Sequence, residues 1–268
     1  PDGNVVKAIG GGLFLFPHGL HVDKDGNIWV TDGQGPRPNE PLRAGKGHVV
    51  IKLSPEGEVL LTLGTPGVEG NGSGPLLSEP CDVVTNDNGD IFVGDGHSGQ
   101  NANAGPDTVA RIAVFDKSGK LINSFGHWGS GRGELRTPHA LDIDSRGRLV
   151  VGDRGNNRLQ IFDQQGNYLE EFTDFGRPSG IYITADDTIY VADSESQFRE
   201  GHHHPGWRHG VRVGSLREGT PKYFIRGIVG DYPDGSNPEG VAVDAAGNVF
   251  GAVVSGGGAM VRSSIPRP

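Results

Sequence analysis

The hydrophobic residues of this chain fall in short runs separated by turns rich in Asp, Asn and Gly. The segment PHGLHVDKDGNIWVTD, which begins at residue 17, places one such run on each side of DKDGN. Short apolar runs that flank an Asp/Asn/Gly turn are typical of two antiparallel strands joined by a tight hairpin. The pattern therefore predicts a β protein.

The same hairpin pattern recurs along the chain, as PCDVVTNDNGDIFVGD from 80, PHALDIDSRGRLVVGD from 138, PSGIYITADDTIYVAD from 178 and PEGVAVDAAGNVFGAV from 238. Each segment except the last is followed by two further strand-like runs, for example RIAVFDKSGKLINSF. Four antiparallel strands in a repeated unit predict the blades of a β-propeller. We expect five blades in a single propeller domain spanning 1–268. Residues 2–11 would add the fourth strand of the last blade and close the ring.

Composition narrows the classes of function. The chain has 46 Gly and 18 Pro residues, which suits many short strands and tight turns. Its formal net charge of −9 repels phosphate backbones and argues against a nucleic-acid partner. No apolar run approaches the roughly 20 residues of a membrane span. A single cysteine, Cys81, excludes an intrachain disulfide framework and a multi-cysteine zinc site.

One position of the repeat carries candidate chemistry. The residue after the proline of each repeat begins the innermost strand of its blade, on the face that carries the long, irregular connections. Because the inner strands surround one axis, these residues should converge there: His18, Cys81, His139, Ser179 and Glu239. Two imidazoles and a carboxylate predict a divalent metal site with His18, His139 and Glu239 as ligands. The alternative interpretation is an ordinary polar lining of a water-filled channel. Cys81 stands in the same ring, either as a further ligand or, as is commoner for a free cysteine, as a small buried filler.

Four repeats end their second strand on an aspartate, namely Asp32, Asp95, Asp153 and Asp193. We interpret these as structural residues that accept backbone N–H groups of the following turn. His97 and Arg154 come shortly after two of them and should stand on the same face as the ring of inner-strand residues. His97 is a candidate for proton transfer, and Arg154 for holding a substrate carboxylate or phosphate. The run HHH at 202–204 is interpreted as a solvated loop, or as part of a lid carrying Trp207.

Three long stretches resemble the peptidyl-α-hydroxyglycine α-amidating lyases, which are NHL-type β-propellers. These are LFLFPHGLHVDKDGNIWVTD, EPCDVVTNDNGDIFVGDGH and GELRTPHALDIDSRGRLVVGDRGNNRLQIF. The resemblance covers most of the chain and implies an all-β propeller of NHL type, for which six blades are the family norm. It also implies zinc held by three histidines at the heads of inner strands. His18 and His139 match two of them, and Glu239 stands at the third position.

The resemblance carries further implications for individual residues. His97 aligns with the tyrosine implicated as the base of that family, and Arg154 with an arginine of its active site. Leu20 corresponds to a carbonyl ligand of a structural calcium in the family. Gly240 stands where the family has its calcium-binding aspartate, which argues against calcium here.

Three hypotheses of function remain open at this point. The first is a metal-dependent lyase that cleaves the C–N bond of a peptidyl-α-hydroxyglycine to give an amide and glyoxylate. The second is a metal-dependent hydrolase of lactones, esters or phosphotriesters. The third is a non-catalytic NHL binding module. We expect a small-molecule or short-peptide substrate, a monomer, and, from the resemblance, a secreted protein of extracellular or periplasmic location.

Overall fold

The computed structural model describes residues 4–36, 45–196, 206–226 and 238–253, together with the backbone of 260–264. Within these residues the strands form antiparallel sheets in which each strand pairs with the next along the chain. Four sheets have four strands and one has three. The predicted β-propeller with four-stranded antiparallel blades is confirmed.

The strands are numbered in chain order, and each blade runs from the axis outward. Blade 1 comprises β1 (Pro17–Val22), β2 (Ile28–Asp32), β3 (Val49–Leu53) and β4 (Val59–Leu63). Blade 2 comprises β5 (Pro80–Thr85), β6 (Ile91–Asp95), β7 (Arg111–Phe115) and β8 (Leu121–Phe125). Blade 3 comprises β9 (Pro138–Ile143), β10 (Leu149–Asp153), β11 (Arg158–Phe162) and β12 (Tyr168–Phe172). Blade 4 comprises β13 (Gly180–Ile183), β14 (Thr188–Asp193), β15 (Gly210–Ser215) and β16 (Thr220–Arg226). Blade 5 comprises β17 (Pro238–Val243), β18 (Asn248–Val253) and β19 (Met260–Ser264).

The inner strands β1, β5, β9, β13 and β17 contact one another in succession. Consecutive blades therefore lie face to face around the axis, and their apolar faces form the core. Between blades 2 and 3, for example, Phe92 and Ile112 pack in one cluster with Leu149 and Phe162. Middle strands such as β7 are buried throughout, whereas outer strands such as β8 alternate between half-buried and exposed positions. A strand covered on both faces reads as a continuous apolar run, which is why RIAVF shows no alternation.

The hairpins between the first two strands of each blade close in the same way. In blade 1 the Asp23 amide donates to the Asn27 carbonyl, and the Asp23 carboxylate accepts the amides of Asp25 and Asn27. The glycine of this turn, Gly26, has φ 82°, a left-handed conformation that costs a glycine little. The Asp-x-x-Gly turn chemistry read from the sequence thus sets the register of the inner hairpin.

The strand-ending aspartates anchor the inner strand of their own blade. Asp153 accepts the Arg136 amide at 2.8 Å, from the segment that leads into β9, and Asp95 accepts the Ser78 amide at 2.6 Å. These donors precede the inner strand. Asp193 also accepts the amides of Glu195 and Ser196 in the turn that follows it, as predicted. The structural interpretation of the aspartates holds. In blades 2 to 4 the carboxylate also pairs with an arginine near the start of the third strand: Asp95 with Arg111, Asp153 with Arg158, and Asp193 with Arg212.

The N-terminal segment differs from the expectation. Residues 4–11, the described part of the predicted closing strand, form no strand, and the described part of blade 5 has three strands. Ile9 packs with Leu13 and Phe14 against the cluster of Val49, Ile51 and Leu53 in blade 1. The physical reason is the apolar face of β3, which would otherwise lie open to water.

The described residues contain no helix long and apolar enough to cross a membrane.

Candidate metal centre at the channel mouth

His18 and His139 are held in the same way at the heads of β1 and β9. The Nδ1 atom of His18 lies 2.7 Å from the carbonyl oxygen of Cys81, and Nδ1 of His139 lies 2.7 Å from that of Ser179. A carbonyl oxygen can only accept, so in each ring Nδ1 carries the proton and Nε2 keeps its lone pair. Histidines that ligate metals are oriented by this kind of contact on the other ring nitrogen.

The second ring nitrogen of His139, Nε2, is buried and unsatisfied within the described part of the chain. His139 is 2% exposed, and its Nε2 finds no hydrogen-bond partner among the residues that the structure describes. Burial lowers the pKa of His139 well below its ordinary value, and the positive charge of Arg154 acts in the same direction. Burial also lowers the pKa of His18. Both imidazoles are therefore neutral near pH 7 and present an unprotonated nitrogen, which is the form that binds a cation.

His97 joins these two histidines from a different structural element. It begins a 3-10 turn, His97–Gln100, directly after β6 and Gly96. Gly96 has φ 123°, and a Cβ at this position would lie 2.0 Å from the Val109 carbonyl oxygen, so the chain can take this path only with glycine. The turn brings the His97 ring to 5.2 Å from that of His18 and 5.3 Å from that of His139, between centroids.

The three histidines form a cluster able to hold a metal ion. The rings of His18 and His139 are 4.7 Å apart, and the candidate ligand atoms of His18, His97 and His139 all lie within 4.8 Å of one another. Imidazole nitrogens suit zinc, copper, iron and nickel. The orphaned His139 nitrogen and the all-nitrogen donor set therefore fit a divalent transition metal, whereas calcium prefers oxygen ligands.

Glu239 stands beside this cluster and is paired with Arg154. Its Oε1 lies 3.6 Å from His139 Nε2 and accepts a hydrogen bond from Arg154 Nη1 at 2.7 Å. Arg154 is 1% exposed, and its Nε donates to the side-chain oxygen of Gln100 at 3.2 Å. Its Nη2 lies 3.2 Å from Nε2 of His97, which must be the acceptor because a guanidinium only donates. Arg154, which the sequence predicted to hold a substrate anion, is therefore bound to the carboxylate of Glu239 in this structure.

Sequence reasoning missed the polar network that supports Arg154. The Gln100 oxygen also accepts Arg177 Nη2 at 2.9 Å, and Arg177 is bound by Glu195 at 2.6 Å and by Asn157 at 2.7 Å. These contacts join loops of blades 2, 3 and 4, and Arg154 connects them to His97 of the histidine cluster. The sequence did contain one indication of Arg177, which directly precedes the proline of its repeat, the position that Thr137 holds in blade 3. The partners of Arg177, however, lie far away in the sequence.

Cys81 and Ser179 take part in the site through their backbones. Cys81 is fully buried, and burial raises the pKa of its thiol well above the ordinary value, so the sulfur stays protonated. Its carbonyl oxygen orients His18 and also accepts the Thr31 hydroxyl at 3.1 Å. The Ser179 hydroxyl pairs with that of Ser194 at 2.8 Å, while its carbonyl orients His139. The interpretation of Cys81 as a buried filler is the one that its environment supports.

The histidine run 202–204 lies outside the described residues. Trp207, on its C-terminal side, stacks against the Arg212 guanidinium at 5.5 Å, and Phe224 contacts the same group at 5.2 Å. Trp207 therefore belongs to an aromatic and cationic contact of blade 4.

The fold and the cluster define a β-propeller with a candidate metal centre at its axis. Residues 135–162, which lead into blade 3 and run through β11, match the family model of the NHL repeat. The chain is an NHL-repeat β-propeller, with homologues among the amidating lyases.

Several curated proteins are about a third identical in sequence to this chain over the aligned residues. The chain is 33% identical over 180 residues to NHL repeat-containing protein 3 of Mus musculus, covering 63% of this chain and 47% of that protein. It is 32% identical over 185 residues to the probable peptidyl-alpha-hydroxyglycine alpha-amidating lyase of Caenorhabditis elegans, covering 68% of this chain and 45% of that protein. The chain thus spans about half the length of these curated relatives.

Among solved structures, virginiamycin B lyase from Staphylococcus aureus superposes with a TM-score of 0.54 at 11% identity. The match covers 94% of this chain and 71% of that structure. At this identity the likeness concerns the propeller fold alone.

Proposed function

We propose that this protein is a metal-dependent lyase that cleaves the C–N bond of an N-acyl-α-hydroxyglycine at the mouth of its central channel. The observation that carries the proposal is the buried, unpartnered Nε2 of His139, which faces a cluster with His18 and His97. An orphaned buried nitrogen is costly unless something binds it. Relatives named as amidating lyases support the reaction type.

The metal would be held by His18 and His139, with a third donor from one of two neighbours. Glu239 is the donor predicted from the sequence, and His97 is the donor that completes the cluster of imidazoles. A divalent ion at this position would supply Lewis-acid polarisation of a bound substrate oxygen. Zinc is the metal that both the nitrogen ligands and the resemblance favour.

The remaining groups account for the proton movements and for substrate orientation. In the reaction the α-hydroxyl loses its proton, its oxygen forms the C=O of glyoxylate, the C–N bond breaks, and the amide nitrogen gains a proton. Whichever of His97 and Glu239 does not bind the metal is placed to take the hydroxyl proton. Arg154 fixes the position of both, since it is hydrogen-bonded to each.

The test is release of glyoxylate from N-acyl-α-hydroxyglycine by the zinc-loaded 268-residue chain. We expect glyoxylate and the amide in equal amounts, with the activity lost in His139→Ala and retained in His127→Ala, an exposed histidine that pairs with Glu134. Hydrolysis of lactones, esters or phosphotriesters without release of glyoxylate would replace the lyase proposal by the hydrolase. A protein that binds zinc and turns over neither class of substrate would indicate a binding module.

A further inference from the structure

Four side chains of types that can bind a metal lie close together at the axis, namely His18, His97, His139 and Glu239. A site with three protein ligands needs only three of them. The three imidazoles form a nearly equilateral triangle, with centroid distances of 4.7, 5.2 and 5.3 Å. Oε1 of Glu239 lies 3.6 Å from Nε2 of His139, but Glu239 is not one of the three residues whose candidate ligand atoms all lie within 4.8 Å of one another. The choice of the third ligand therefore rests on what else each candidate binds.

Glu239 is already hydrogen-bonded to Arg154, whose side chain other contacts hold in place. Its Oε1 accepts Arg154 Nη1 at 2.7 Å, the length of a charge-assisted hydrogen bond. Arg154 is fixed by Gln100, which Arg177 holds in turn. If Glu239 turned to a metal, this buried guanidinium would lose its nearest carboxylate partner, and the next, Glu195, is 3.9 Å from its Nε. Losing one partner of a buried ion pair is strongly unfavourable.

His97 is held toward the cluster by its backbone. Its amide donates to the Glu79 carbonyl at 3.1 Å, and the left-handed Gly96 fixes the direction in which the chain leaves β6. Its Nε2 accepts an Arg154 N–H at 3.2 Å, a longer bond than the one between Arg154 and Glu239. A lone pair serves one partner at a time, so a cation at this nitrogen would release one Arg154 N–H and leave the ion pair with Glu239 intact.

We propose that His97, and not Glu239, completes the metal site of this protein, and that Glu239 stays outside the ligand set, paired with Arg154. The assignment rests on the metal-dependent function proposed above and makes it more specific. Its donor set is three neutral imidazoles with open positions for a substrate, which suits zinc, copper or nickel over magnesium or calcium.

The experiment measures zinc content and zinc affinity in wild type, His97→Ala, Glu239→Gln and His21→Ala. His21 is the matched control, because it lies on β1 three residues after His18 but its Nε2 is bound to the Thr85 hydroxyl at 2.9 Å. We expect zinc affinity to fall by at least about tenfold in His97→Ala. We expect Glu239→Gln and His21→Ala to stay close to wild type. Loss of zinc in Glu239→Gln, with or without loss in His97→Ala, would overturn the assignment.

A second measurement needs no variant and so does not depend on how well His97→Ala folds. Pulsed electron paramagnetic resonance of the Cu²⁺-loaded wild type counts the coordinated imidazoles. Three are expected, and two would overturn the assignment. Retention of zinc by a folded His97→Ala would remove this assignment and leave the metal-dependent function standing. A wild type that binds neither zinc nor copper would remove that function too.

Discussion

Asp82 links two blades at the channel wall and should make the stability of the propeller depend on pH. Its Oδ1 accepts the Val83 amide at 2.9 Å, and its Oδ2 accepts the Leu141 amide of the next blade at 2.8 Å. Burial is the largest influence on this carboxyl, and the negative charge of Asp142 adds to it. Together they raise the pKa of Asp82 from 3.8 to about 7.

The sign follows from which state holds the proton more tightly. A pKa that is higher in the folded protein means that the folded state binds more protons, so the free energy of unfolding falls as pH rises. The loss begins above the unfolded pKa of 3.8 and is complete near pH 7. Between pH 5 and pH 8 the ionisation of Asp82 should cost about 3 kcal/mol, since each pKa unit is worth about 1.4 kcal/mol.

The assay is urea denaturation of wild type and Asp82→Asn at pH 5, 6, 7 and 8, with EDTA present to keep metal out of the comparison. The asparagine variant loses one acceptor at every pH, so only the change in the difference between the two proteins is informative. That difference should move by about 3 kcal/mol in favour of the variant as pH rises to 8. As a control, the difference between wild type and Asp116→Asn should stay constant from pH 5 to pH 8, because hydrogen bonds lower the pKa of this exposed carboxyl and it is ionised in both the folded and the unfolded state over that range. Parallel curves for wild type and Asp82→Asn would refute the reasoning.

Two further substitutions test the supports of the site. Arg158→Gln leaves the buried Asp153 without its cation and should lower the free energy of unfolding by about 3–5 kcal/mol in urea denaturation. Arg146→Gln, on an exposed turn, should change it by less than about 1 kcal/mol, and equal effects would contradict the anchoring role. Gly96→Ala forces the chain away from the path that delivers His97, so zinc affinity should fall. Zinc binding at wild-type strength would contradict that placement.

The blades could be predicted from the sequence because each one is specified locally. A tight turn closes each inner hairpin within five residues, and the strand that follows it in blade 2, β6, is buried at every position. The ring of inner-strand residues followed from the repeat alone, and the structure places His18 and His139 together as that ring requires. The N-terminal segment escaped prediction because its strand-like pattern was equally suited to covering the open face of β3.

His97 escaped assignment to the cluster for a different reason. It lies in a connection between blades, where no repeat register fixes the direction of a side chain, and its path depends on the φ of one glycine. Glu239 occupied the expected ring position, but its partner Arg154 is 85 residues away, and no local pattern relates them. A repeat specifies which backbones meet at the axis. Which side chains then face the candidate metal site depends on the charges nearby, and here Glu239 is hydrogen-bonded to the buried Arg154 at 2.7 Å.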